Sequence, residues 1–178
     1  RLQEAAEAAV QFTVKAYGRM NALVNGAAGN FLSNAHELKL KGFKTVMEID
    51  TVGVFNMSTA AFPALRESGA SDIINISMTL HYGTTWFQAH SSAAKAAIDS
   101  LTRLSLALEW GSHGIRVNGI APGPIANTPG MAKLGPGLQS DIASKVPLGR
   151  LGTTFEIGMA AVFLLSSAAS YVSGDTLV

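Results

Sequence analysis

The stretch DIINIS, residues 72–77, places Ile73, Ile74 and Ile76 around a single asparagine. It is too apolar for a surface strand and predicts a buried one. Working outward, helical and strand patterns alternate. On the N-terminal side a helix is predicted over Leu38–Leu65, broken near Asp50–Gly53. Before it, NALVNGAAGN (21–30) holds a short apolar strand, Ala22–Val24, running into a Gly/Ala-rich turn. Residues 2–17 read as a helix with Ala5, Ala9, Phe12 and Ala16 on one stripe, and Gly18 as its C-cap. On the C-terminal side, a helix over Ser92–Trp110 places Ala94, Ile98, Leu101, Leu104 or Ser105, and Leu108 on one face. Gly111 and Gly114 end it. IRVNGIA (115–121) is the next buried strand, stopped by PGPI, and a loop with Pro122, Pro124, Pro129 and Pro136 follows. A helix over Phe155–Ser166 leads to a last strand, Asp175–Val178.

Apolar strands separated by helices imply a parallel sheet covered on both faces. Ligands of such sheets sit beyond the carboxyl ends of the strands. The segments in that position are Asn25–Asn30, Ser77–Tyr82 and Pro122–Thr128.

Composition narrows the function classes. The 178 residues are 48% hydrophobic and 14% charged, which suits one domain with a large core. A net charge of +1, without a basic run, gives no footprint for nucleic acid or anionic membrane. No apolar run is a convincing membrane span. Without cysteine there is no disulfide scaffold. His36, His81, His90 and His113 are scattered without metal-ligand spacing, so all four read as non-ligands and no metal is expected. The chain starts without Met inside a helical pattern and stops inside an apolar run, and is expected to be a piece of a longer protein.

Several motifs carry chemistry or an ordinary structural role. The small residues of NGAAGN let a ring or sugar approach the backbone, or simply make a strand-to-helix turn. PGPI is a rigid loop with or without a ligand. Lys95, amid Ala93, Ala94, Ala96 and Ala97, has room to reach inward, where its ammonium offers three donors. Asp50 interrupts an amphipathic helix, either as a breaking cap or as a buried carboxylate near Lys95. Arg103 reads as a surface cation. Small residues along the Asp50–Leu65 and Ser92–Trp110 helices suggest close helix packing, in the core or at a subunit interface.

Taken together, LVNGAAG, DTVGVFN, IINIS, SSAAKAA and IRVNGIAPGPI resemble the short-chain dehydrogenase/reductase family, in order and along essentially the whole chain. The resemblance implies an α/β fold, a Rossmann-type doubly wound parallel sheet. Residues 1–178 would be a single truncated dinucleotide-binding domain, its C-terminal two-thirds. The family's glycine-rich phosphate loop would precede residue 1 and its Asp-Gly-Gly would follow Val178. The family's first strand would pair with Ala22–Val24, so its absence implies an open apolar edge and poor NADPH binding by this piece alone.

AAGNFL (27–32), FKTVMEIDTVGVFN (43–56), and APGPI with TPGM (128–131) resemble the branch that reduces 2,4-dienoyl-CoA thioesters in peroxisomes. Ketone reductases of the family carry a tyrosine four residues before the lysine; here that residue is Ser91. Mitochondrial dienoyl reductases carry one where Leu80 stands. The branch lacks both, and its substrate explains why. A reduced ketone needs a proton on its alkoxide. Hydride added to a conjugated thioester pushes charge onto the thioester oxygen, and the proton goes to carbon.

By resemblance Lys95 serves the nicotinamide ribose and Asp50 holds a protonating water. Asn25, Ala27 and Gly29 line the cofactor, and Ala121, Pro122, Gly123, Pro124, Ile125, Ala126 and Asn127 wrap its nicotinamide end. Phe31 and Lys39-Leu40-Lys41 face an acyl-CoA, where two lysines suit a pyrophosphate. The implied cofactor is NADPH, the place the peroxisome, and the assembly a homodimer or homotetramer. The alternatives are a 3-oxoacyl thioester or alcohol reductase using Tyr82, with His81 also nearby, or a non-catalytic dinucleotide-binding scaffold.

Overall fold

A computed structural model describes residues 2–79, 82–83, 86–132 and 138–178, the last range without the side chains of Leu138 and Gln139. Leu80, His81 and Pro136, all named above, lie outside the described residues. Four parallel strands form one sheet in the order β1 (Ala22–Asn25), β2 (Ser71–Ile76), β3 (Ile115–Ile120) and β4 (Thr176–Leu177). Ile73 pairs with Leu23 on one side and Val117 on the other, so DIINIS is an interior strand, as its apolar reading requires.

Helices cover both faces. On one, α1 (Gln3–Tyr17), α3 (Gly53–Ser68) and the helix running from α4 (Ala89–Ser100) to α5 (Ala107–Trp110) bury Val10, Leu65, Leu106 and Trp110 against Leu23, Ile73 and Val117. On the other, α8 (Thr154–Leu165) packs Leu164 against Ile74 and Ile120. Each fully buried isoleucine or leucine contributes about 1.5–3 kcal/mol. Arg116 fixes α8 in place: its guanidinium pairs with Asp72 at 2.6 Å and donates to the carbonyls of Leu164, in the last turn of the helix, and of Ala169, beyond its end.

Three expectations need correction. The buried side of α1 is Ala6 and Val10, with Val14 behind them, and Phe12 is 71% exposed. Ala5-Ala9-Phe12-Ala16 and Ala6-Val10-Val14 both have helical spacing, and only the fit against α3 chooses between them. In the helix after β2, Leu104 and Leu108 are 72% and 78% exposed, while Thr102, Leu106 and Trp110 are buried. The cause is a π-helical stretch, Leu101–Leu106, whose wider turn keeps a four-residue step from Ala94 to Trp110. The loop after PGPI also contains two short helices, α6 (Pro129–Ala132) and α7 (Leu138–Lys145). A proline is well tolerated in a helix's first turn, and Pro129 begins α6.

Other boundaries follow the sequence closely. Gly18 and Gly114 adopt left-handed conformations, φ 80° and 75°, at the ends expected of them. The helix predicted over Leu38–Leu65 is interrupted where expected, between α2 (Leu40–Met47) and α3, by a second π-helical turn, Glu48–Val52. β1 forms one edge of the sheet, and its Val24 is 50% exposed.

Candidate functional site

The π turn at Glu48–Val52 decides where Asp50 points. An extra residue in the turn swings this carboxylate off the helix surface and into the interior, where it is fully buried. Such single π turns concentrate at functional sites. One carboxylate oxygen accepts the Gly29 N–H at 2.7 Å. The other lies 3.3 Å from the Lys95 ammonium, an ion pair not aligned as a hydrogen bond. Lys95, two turns into α4 and 3% exposed, also donates to the Ile76 carbonyl at 3.0 Å, at the carboxyl end of β2. The buried-carboxylate alternative for Asp50 is therefore the one the fold adopts.

A chain of buried amides and hydroxyls supports this centre from below. Asn25 donates to Ser58 at 3.0 Å and to Asn75 at 2.8 Å; Asn75 donates to Thr102 at 2.9 Å, and Thr102 to the Ile98 carbonyl. The chain ties the ends of β1 and β2 to the helices on one face. Loss of any member strands a buried polar partner, at about 1–3 kcal/mol. Asn75, Ser58 and Thr102 are structural residues that the sequence reading missed. A lone asparagine inside DIINIS was the available signal, since a buried amide needs partners. The Asn25 side chain is committed to this chain, leaving the backbone of Gly26–Ala28 as the exposed surface after β1.

The other expected positions fall around the same end of the sheet. Gly29 packs tightly, since a Cβ there would meet Ile49 at 3.0 Å. Phe31 is part-exposed and stacks on the buried His90 ring at 4.2 Å. Lys39 and Lys41 are exposed at the start of α2, where Leu40, Lys41, Lys44, Thr45 and Glu48 line an open cavity of about 470 Å³. After β3, Ala121 is buried and Pro122 to Ala126 are half-buried. The loop is held by Ala126 N–H to Gly152 at 2.9 Å and by Gly152 N–H to the Pro124 carbonyl at 3.0 Å. Asn127 is exposed with φ 58°, a left-handed position that asparagine tolerates.

Two phenol positions can be compared directly. Ser91, where ketone reductases carry tyrosine, is buried in α4. The Tyr82 hydroxyl donates to Asp99 at 2.6 Å, one turn beyond Lys95. Burial first, then the Asp99 carboxylate, push the Tyr82 phenol up to about 12, making it a poorer acid than a free tyrosine. Arg103 is exposed as expected. Among the described residues no group of His, Asp and Glu could hold a metal ion, and no helix is long and apolar enough to cross a membrane.

Comparison with known proteins gives this arrangement a context. The model of the family described as enoyl-(acyl carrier protein) reductase matches residues 1–178. A peroxisomal 2,4-dienoyl-CoA reductase of Arabidopsis thaliana, described as (3E)-enoyl-CoA-producing, is 50% identical over the whole chain, which covers 63% of it. The Danio rerio protein of the same description is 46% identical, with 60% of its length covered. A Bacillus subtilis protein described as a probable (2E)-enoyl-CoA-producing 2,4-dienoyl-CoA reductase is 46% identical, and 71% of it is covered by 99% of this chain. The chain thus spans about three-fifths of the first two relatives. A crystal structure of a short chain dehydrogenase from Bacillus anthracis superposes with a TM-score of 0.90 at 36% identity, over 99% of this chain and 69% of that one. Its fold confirms the Rossmann-type sheet. With the family model matched from first residue to last, the chain belongs to the short-chain dehydrogenase/reductase family.

Proposed function

We propose that the protein carrying this chain is an NADPH-dependent 2,4-dienoyl-CoA reductase, adding hydride to a conjugated thioester and a proton to carbon. The observation that carries the reading is the buried Asp50–Lys95 pair in a site whose usual phenol position is Ser91. The printed names of the dienoyl-CoA reductases above point the same way.

The residues present fit the nicotinamide-ribose half of a dinucleotide. The donor set is Lys95, held by Asp50 and Ile76, beside the exposed backbone of Gly26–Ala28 and the loop Ala121–Asn127. When bound, NADPH supplies a hydride to the far end of the diene. Lys95 orients the ribose hydroxyls through its remaining donor capacity. Asp50 fixes Lys95 and, through Gly29, the turn after β1. It also holds the water whose proton reaches the α-carbon. Phe31 forms an apolar wall for the acyl chain, and Lys39 with Lys41 receives the CoA phosphates, Leu40 lying between them.

The 3-oxoacyl reductase alternative needs Tyr82 as acid, and its hydroxyl is engaged by Asp99 and weakened. The scaffold alternative leaves the buried ion pair without a task, although such pairs are weak contributors to stability. Exposed Leu104 and Leu108, with Phe155 and Val162 on α8, support a homodimer or homotetramer. Peroxisomal placement rests on the names of the relatives.

The test is NADPH consumption by the purified protein, offered a 2,4-dienoyl-CoA and a 3-oxoacyl-CoA side by side. Turnover of the dienoyl substrate alone supports the reading. Turnover of the 3-oxo substrate alone, abolished by Tyr82→Phe, reverses it.

A further inference from the structure

His90 has no task in the reaction above, yet it is the only fully buried imidazole among the described residues. It lies in the first turn of α4, with its whole ring enclosed. Its ring lies flat under Phe31, centroids 4.2 Å apart and planes at 25°. Phe31 is also pressed against Gly42 of α2, where a Cβ would stand 2.8 Å from the Phe31 ring tip. The proposed acyl wall is thus clamped between an imidazole and bare helix backbone.

Two more contacts fasten the same segment. Asn30 donates to the Gln88 side chain, and the Ser33 N–H donates to the Phe87 carbonyl at 2.9 Å. Phe87 makes that contact from φ 63°, a conformation rare for a bulky residue and sustained only where its surroundings hold it. Residues 30–33 are therefore tied to 87–90 at three successive points.

We propose that His90 is a positioning residue for the acyl thioester: a flat platform that, with Gln88 and the Phe87 carbonyl, holds Phe31 and residues 30–33 against α4. The proposal rests on Phe31 lining the acyl site, and it assigns His90 no contact with the reacting atoms. Stacking, not the ring nitrogens, is the property that matters.

The experiment compares His90→Ala with His90→Phe in the full chain. Hydrogen exchange at the Ser33 amide, in the free protein, reads the docking of residues 30–33 without any substrate. Steady-state kinetics with 2,4-hexadienoyl-CoA read its consequence. His90→Ala is expected to lose Ser33 protection at least tenfold and to raise KM about tenfold, with kcat within twofold. His90→Phe, which keeps a flat ring under Phe31, is expected to restore both. A His90→Phe protein that keeps Ser33 protection but loses kcat would overturn the proposal, because the nitrogens would then act on substrate. Unchanged Ser33 exchange in a folded His90→Ala protein would overturn it too. A parent that docks the segment but turns over no dienoyl-CoA would instead refute the proposed activity, leaving the exchange result to decide the platform.

Discussion

The chain uses the same backbone irregularity twice, to different ends. The π turn at Glu48–Val52 turns Asp50 inward to meet Lys95, and the π stretch at Leu101–Leu106 turns Leu106 and Trp110 onto the sheet. The first places a charge in the interior, where a lost partner is costly and the pair itself adds little stability. The second places apolar surface there, where burial is worth several kcal/mol. On the proposed function, one irregularity answers to activity and the other to stability, and variants at the two should separate these quantities.

The largest separation is expected at the first turn. Asp50→Asn should cut dienoyl-CoA turnover roughly 10²–10⁴-fold, the range of a lost acid–base or positioning group. A fall in turnover below tenfold would make the turn as structural as its counterpart. At the second, Leu106→Ala should cost about 2–5 kcal/mol in denaturant unfolding. Leu104→Ala, on the face a regular helix would have buried, should stay within about 0.5 kcal/mol. Equal losses at the two would mean that the helix keeps its ordinary phase.

These two turns also mark where sequence reading ran out. DIINIS, IRVNGIA and the small-residue turns after them gave the parallel sheet and its ligand-bearing end, because an interior strand leaves a continuous apolar run. A π turn leaves no compositional trace. The interruption near Asp50 is visible through Asp50 and Gly53, but the second stretch, LTRLSL, has neither Asp nor Gly, so a regular helical period puts Leu104 and Leu108 on the wrong face. In the Ala-rich α1, two stripes satisfied the same period, and only contact with α3 selected Val10 over Phe12. Within the site, Asp50 and Lys95 were legible as types with a known pairing, whereas His90, Gln88 and Asn75 act through contacts far apart in sequence.

Smaller effects sharpen the contrast through pH. Burial holds the His90 imidazole below its usual 6.5, opposed by the Phe31 backbone and the Asp50 charge. The folded state then binds fewer protons than the unfolded one. Stability from the neutral ring is fully present above about pH 6.5 and falls as pH drops below it. Unfolding of the parent should show that loss and His90→Phe should not. At α8, Thr153 and Glu156 form a capping box reinforced by Arg150, which with the Thr153 contacts holds Glu156 at about 2. Its contribution is present above the ordinary 4.5 and is lost only as pH falls toward about 2. Thr153→Ala should cost about 1 kcal/mol at neutral pH, read by thermal unfolding.

The central claim is that a solvent proton, delivered from a water held by Asp50, ends on carbon without the help of a phenol. Turnover of a 2,4-dienoyl-CoA with NADPH in heavy water tests it most directly, with the product's deuterium located by NMR. Deuterium on the α-carbon of a 3-enoyl thioester, retained in Tyr82→Phe, is the result the account predicts. A product carrying its solvent hydrogen on a hydroxyl, and absent from Tyr82→Phe, would contradict it.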